Sequence, residues 1–283
     1  MSAVLMLDRA WSERRSLLSV GLEPCPEYLP ASGEFPATIE GYERYLMGIA
    51  EASAAYAAAF KFNLAFFEAL GPEGWGLLKR VRDRLSAGVM VIADAKRGDI
   101  GSTATRYAQA TFEWLNADAV TLSPLMGRDS AEPFLKYTDR LCYFLCLTSN
   151  PGSKDFLQRG GMYLEIAREV SAWGQPGQTG LVVGATHPAK VAEIRAAAPS
   201  ASFLIPGVGA QGGEIETVAS AGMVPGGASP GMLFHVTRGV LADAGDAGPL
   251  AGVVARKARE YRDRVAAAVE SAVTNQKKEA AHA

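Results

Sequence analysis

The chain has 283 residues, enough for one large α/β domain with an ample core or for two small ones. With 20% charged residues, a formal net charge of −2 and a pI near 6.0, it carries no global basic field, which disfavours nucleic acid as a partner and leaves room for a small anionic substrate held by local cations. No apolar run approaches the roughly 20 residues of a membrane helix, and Met1 to Arg15 lacks a continuous apolar segment or small-residue cleavage site, so neither a membrane nor export is expected.

In chain order, an N-terminal helix is followed by short apolar, β-branched runs that alternate with longer amphipathic stretches, the pattern of βα units around a parallel sheet. The candidate strands are Leu17–Leu22, Ala58–Phe62, Gly88–Ala93, Ala117–Leu122, Leu141–Leu147, Gly180–Val183, Ser202–Ile205 and Gly231–Val236. Between them, Tyr42–Tyr56, Glu73–Leu85, Thr103–Leu115, Gly161–Trp173 and His187–Ala197 are long enough to cross back over the sheet. Eight such units predict a (β/α)8 barrel, a single domain over residues 1–283. The exit of the first strand, Glu23 through Pro36, is long and proline-rich and reads as a functional or lid-like loop rather than a linker. Beyond Pro249 one helix is predicted to about Thr274, with 275–283 as a frayed polar tail. Cys25, Cys142 and Cys146 match no zinc or redox spacing and read as small buried hydrophobes in a reducing, cytoplasmic setting.

Catalytic groups in such a barrel come from the C-terminal strand ends. The third strand is apolar until Asp94, after which Lys96, Arg97 and Asp99 follow within a few residues. With a period of two, Asp94 and Lys96 project to the same side, and two opposite charges converging there call for a further lysine or an anionic ligand. Lys61 stands inside the apolar run Ala57–Phe62, where it either snorkels outward or meets an acid; Asp94 on the neighbouring strand is the acid available. Other exits supply Glu23, the segment Thr148-Ser149-Asn150-Pro151-Gly152, and the glycine-rich Pro206–Gly213 with Gly209 and Gln211. That last loop either cradles a phosphate at a helix start or makes tight turns. Arg238, just past the eighth strand, adds a guanidinium suited to phosphate. His187, His235 and His282 are too scattered to form a metal set.

The run Asp94-Ala95-Lys96-Arg97-Gly98-Asp99-Ile100-Gly101-Ser102-Thr103 is joined by Phe60-Lys61-Phe62-Asn63, Ala65-Phe66-Phe67-Glu68, Thr148–Gly152 and Leu204–Gly213. With these segments, in this order, the chain from about Leu17 to Arg238 resembles the orotidine 5′-phosphate decarboxylase family, in its bacterial subgroup with that first motif. The resemblance implies a barrel that forms homodimers with active sites at the interface and converts orotidine 5′-phosphate to UMP and CO2 in pyrimidine biosynthesis, without metal or cofactor. It implies that Lys61, Asp94 and Lys96 act from one subunit, that Asp99 and Thr103 serve the neighbour's site, and that Ser149 addresses the pyrimidine. Gly209, Gln211 and Arg238 are implied to hold the 5′-phosphate.

Three departures stand out. Glu23 replaces the aspartate that contacts ribose hydroxyls, His235-Val236-Thr237-Arg238 replaces Asn-X-Ser-Arg, and Ser123-Pro124-Leu125 replaces Asn-Pro-Tyr. They leave open a related decarboxylase acting on a modified pyrimidine nucleotide, and a non-catalytic nucleotide-binding barrel. Metal-dependent aldol chemistry on the same scaffold is disfavoured by Lys96 and by the absence of an additional acid.

Overall fold

The computed structural model describes residues 1–208, 214–224, 229–241, 246 and 248–282. Its sheet consists of β1 (Leu18–Gly21), β2 (Ala59–Asn63), β3 (Met90–Arg97), β4 (Ala119–Leu122), β5 (Leu141–Leu147), β6 (Thr179–Val183), β7 (Ser202–Pro206) and β8 (Met232–Val236). All pair in parallel with their neighbours in chain order, and β1 also pairs with β8 through Leu18–Phe234, Ser19–His235 and Val20–Val236. The sheet therefore has no edge: it is the eight-stranded (β/α)8 barrel expected from the alternation of short and long segments.

The crossovers are α2 to α9, preceded by α1 (Ala3–Arg14). They comprise α2 (Ile39–Ser53), α3 (Leu64–Glu68), α4 (Gly71–Arg84), α5 (Gly101–Gln109), α6 (Arg128–Leu135), α7 (Met162–Ser171), α8 (Pro188–Ala197) and α9 (Ile215–Gly222); α10 (Leu250–His282) follows β8. The polar stretch 275–282, expected to fray, continues α10. Its Lys, Glu, Gln and Ala residues are strong helix formers, so the helix needs no buried face there to continue.

Strand periodicity divides the apolar residues between two layers. Along β3, Val91 and Ala93 pack outward under the helices, whereas Met90 and Ile92 point into the barrel with Ala59, Ala119, Leu141, Tyr143, Leu204 and Leu233. Helix α1 closes the N-terminal mouth. Its Ala3, Leu7 and Ala10 join the interior cluster, and its Arg14 donates to the carbonyls of Ala57 and Gly88, which precede β2 and β3. With one mouth plugged and the interior filled, chemistry is confined to the C-terminal mouth.

Candidate active site

The inward positions that follow the apolar layer carry polar groups. On β2 Lys61 comes after Ala59, on β3 Asp94 comes after Ile92, on β4 Thr121 comes after Ala119, and on β8 His235 comes after Leu233. The same alternation that builds the core thus delivers four polar side chains to one level at the C-terminal end. All four are buried.

Asp94 is the hub. Lys61 Nζ donates to its Oδ2 at 2.6 Å, Lys96 Nζ to its Oδ1 at 2.6 Å, and Thr121 Oγ1 to the same Oδ1 at 2.9 Å. Burial alone would raise the Asp94 carboxyl, but the charges of the two ammonium groups and their hydrogen bonds outweigh it and hold the carboxyl well below the usual carboxylate range. Asp94 is therefore ionised at any pH the fold is expected to meet. The lysines differ in environment: the Lys61 side chain is 5% exposed, that of Lys96 50%, so Lys96 is the ammonium that faces the open cavity.

Reading β3 as ending at Ala93 undercounts it. The strand runs on to Arg97, because the charge of Asp94 is neutralised within the barrel and no longer has to leave it. Lys96 also does not sit in ordinary strand geometry. Its φ is +49°, and the pairing of β3 with β4 jumps from Ala93–Val120 to Arg97–Leu122, so β3 bulges opposite Thr121. For a non-glycine residue the left-handed region costs about 1–2 kcal/mol. The Lys96 N–H donates to Thr121 Oγ1 at 3.0 Å, which supports that backbone.

Glu23, beyond β1, joins the cluster from the other side. Its Oε1 lies 4.0 Å from Lys61 Nζ and accepts from Thr237 Oγ1 at 3.4 Å. Thr237 in turn meets His235 Nε2 at 3.1 Å, and His235 Nδ1 meets Ser19 Oγ at 3.2 Å. Glycine at position 21 is required here, since a Cβ would stand 2.1 Å from Thr237 Oγ1. Burial, and next the charge of Lys61, push the His235 imidazole well below its ordinary pKa, so it is a neutral hydrogen-bonding group. Burial raises Glu23 in spite of Lys61. The folded chain therefore binds the Glu23 proton more tightly than the unfolded chain does, and that contribution to stability is lost as pH rises through the folded-state value. Glu23→Gln, which cannot ionise, should have a higher Tm than the parent at about pH 8 and the same Tm near pH 4, where Glu is largely protonated. A lower Tm at the alkaline end would show that the Lys61 attraction outweighs burial.

Two adjoining cavities open above this layer and share Pro206 and His235 in their walls. One is lined by Lys61, Asp94, Lys96 and Thr121 from β2 to β4 together with Ser149 and the apolar Leu145, Val182 and Leu204 from β5 to β7, and so presents charge on one side and apolar side chains across the barrel. The other is lined by Glu23, Tyr28, Thr237 and Arg238, with Arg238 exposed at its rim. The long loop after β1 brings Tyr28 there, its carbonyl accepting from Tyr45 Oη at 2.6 Å. The exposed guanidinium beside a cavity that adjoins the charged one suits a substrate carrying a phosphate at one end.

A family model described as orotidine 5′-phosphate decarboxylase / HUMPS matches residues 18–268, essentially the whole barrel. The chain belongs to that family. Among similar proteins, the orotidine 5′-phosphate decarboxylase of Roseiflexus sp. (strain RS-1) is 45% identical over 262 residues, 90% of this chain and 94% of that one. The solved structure of Leishmania donovani OMP decarboxylase superposes with a TM-score of 0.81 at 39% identity, covering 95% of this chain and 99% of that one. That of Leishmania donovani UMP synthase gives 0.83 at 40%, but this chain spans only 57% of its length.

Of the residues singled out in sequence, Lys61, Asp94, Lys96 and Glu23 converge, Ser149 lines the same cavity and Arg238 the adjoining one. Asp99 and Thr103 are not among the residues lining either cavity; they lie on the rim at the start of α5, where Asp99 Oδ1 accepts from the Ile100 N–H at 2.8 Å and Thr103 is exposed. Gly209 and Gln211 lie outside the described residues. Among the described residues no three His, Cys, Asp or Glu side chains gather as metal ligands, and no helix is long and apolar enough to cross a membrane. Sequence reading missed Thr121 and Ser19, and noted His235 and Thr237 at the strand exit without the hydrogen bonds that join them. Their signal was present as polar residues at inward places of otherwise apolar strands, a weaker mark than a run of charge.

Proposed function

We propose that this member of the decarboxylase family converts orotidine 5′-phosphate to UMP and CO2. The observation that carries this reading is the Lys61–Asp94–Lys96 cluster, in which Lys61 and Asp94 are buried and the half-exposed Lys96 stands at a cavity that Ser149 also lines. Loss of CO2 from C6 leaves a carbanion in an sp2 orbital orthogonal to the ring π system, so the ring offers no simple electron sink and stabilisation has to be electrostatic. Lys96 supplies the positive charge at C6 and then the proton. Asp94 stands as a like charge toward the substrate carboxylate and is relieved as CO2 departs.

A pair of unit charges about 4 Å apart is worth roughly 4 kcal/mol at an effective dielectric of ~20, on the order of a thousandfold in rate. The remainder comes from phosphate and ribose binding energy spent on organising the site. Ser149 addresses the pyrimidine, Glu23 stands toward the ribose, and Arg238 with Gly209 and Gln211 takes the 5′-phosphate.

The working unit is a homodimer in which Asp99 and Thr103 reach the neighbour's site. Three exposed apolar residues support this: Ile100, Leu125 and Met126 crowd the exits of β3 and β4, which meet where a Cβ on Gly98 would come within 3.0 Å of Ser123. Free Cys25, Cys142 and Cys146 fit a reducing, cytoplasmic setting. The test is incubation of purified protein with orotidine 5′-phosphate and separation of the products. Stoichiometric UMP and CO2 are expected. Unchanged substrate in the presence of tight nucleotide binding would overturn the reading and favour a modified substrate or a binding role.

A further inference from the structure

We propose that Thr121 is a positioning residue of this site: through one hydroxyl it fixes both the Asp94 carboxylate and the left-handed backbone from which Lys96 reaches its target. The hydroxyl is 1% exposed as part of its residue, and its two partners leave no ambiguity about direction. An ionised carboxylate only accepts and a backbone N–H only donates, so Thr121 Oγ1 gives its proton to Asp94 Oδ1 at 2.9 Å and receives the Lys96 N–H at 3.0 Å. Both partners belong to the bulge where β3 leaves register with β4 between Ala93 and Arg97, and Thr121 is the β4 residue between Val120 and Leu122 that faces that gap. The Lys96 backbone, at φ +49°, and the Lys96 ammonium, bonded to Asp94 Oδ1 at 2.6 Å, are thus referred to one fixed point.

The positions of charge are what such a site has to control, since a displacement of about 1 Å can cost on the order of a hundredfold in rate. Lys61 cannot provide this control. It holds the opposite oxygen, Oδ2, and makes no hydrogen bond to the Lys96 backbone. Without the hydroxyl, Asp94 Oδ1 is held only by the half-exposed Lys96 ammonium, and the Lys96 backbone loses the acceptor that stabilises its unusual conformation.

The proposal rests on the decarboxylase reading, and its test separates the two. Thr121→Val removes the hydroxyl at nearly constant shape, whereas Thr121→Ser and Thr121→Ala remove the same methyl and differ from each other only in the hydroxyl. In steady-state decarboxylation of orotidine 5′-phosphate, Thr121→Val and Thr121→Ala are expected to lose about 10–100-fold in kcat with KM changed less than about threefold, and Thr121→Ser to stay within about fivefold of the parent. Equal activities for Ser and Ala, or full kcat in Val, overturn the proposal. An inactive parent overturns the decarboxylase reading instead, and a crystal structure of Thr121→Val then decides about Thr121. Lys96 relaxed to negative φ or Asp94 rotated supports the proposal; an unchanged bulge with Lys96 Nζ still on Asp94 overturns it.

Discussion

Lys96→Ala is expected to lower kcat for orotidine 5′-phosphate by about 10⁴-fold or more while leaving the affinity for UMP within about tenfold. The magnitude combines two losses. A positioned proton donor is worth about 10²–10⁴-fold, and a charge aimed at the developing carbanion about 10²–10³-fold. The fold should survive, because Asp94 keeps Lys61 on Oδ2 and Thr121 on Oδ1. The half-exposed Lys96 also leaves no buried partner behind other than this satisfied carboxylate. Single-turnover rates with saturating enzyme, together with a UMP titration, measure the two quantities separately. A kcat within tenfold of the parent would mean that another group protonates C6, and Lys61, 5% exposed behind Asp94, would be the remaining ammonium to test.

The second large effect concerns Asp99. Lys96→Ala and Asp99→Ala proteins, each inactive alone, should regain about a quarter of parental activity when mixed in equal amounts and allowed to exchange subunits. Random exchange makes half of the dimers mixed, and in each mixed dimer one of two sites pairs an intact Lys96 with an intact Asp99 from the other copy. The position of Asp99 motivates the experiment. It lies on the rim of its own barrel beside exposed Ile100, with its carboxylate turned to the Ile100 N–H, while Asp94 and Lys96 lie inside the mouth. If Asp99 acted within its own chain, the mixture would stay as inactive as its components. Sedimentation of the same samples shows that dimers have formed, and native mass spectrometry with one variant isotope-labelled shows that they have exchanged.

Much of the barrel was legible in the sequence because its strands are nearly all apolar and its crossovers are amphipathic, two patterns that a parallel sheet covered by helices imposes. Strand ends were less legible where polar groups are neutralised by tertiary partners. Asp94 looks like the end of a strand until Lys61 and Lys96 are seen to satisfy it, and β3 runs on to Arg97. The C-terminal helix continues to His282 through a polar stretch whose pattern suggests fraying, because its Lys, Glu, Gln and Ala residues have high helix propensity.

The candidate site divides in the same way. Lys61 and Asp94 were visible as charges where apolar residues belong, because a buried charge is too costly to be placed without a partner, and Lys96 as the opposite charge two residues on. Thr121, His235 and Thr237 carry no charge or none at neutral pH, and a lone hydroxyl or imidazole in a strand is equally compatible with a merely satisfied core. Glu23 was visible as a departure from its family, but its role as a neighbour of Lys61 and acceptor for Thr237 was not.

By itself, then, the sequence determined the number and order of the strands, their alternation with helical crossovers, and the identity of the charged trio, because periodicity and the placing of charge after an apolar run act within a few residues. Only the tertiary structure decided that Lys96 turns through a left-handed backbone, that Thr121 ties it to Asp94, and that Glu23 and His235 meet at Thr237. The Lys96–Thr121, Asp94–Thr121 and Glu23–Thr237 contacts join residues 25 to 214 positions apart, and the first two also depend on a register shift between neighbouring strands; neither is encoded in any local pattern.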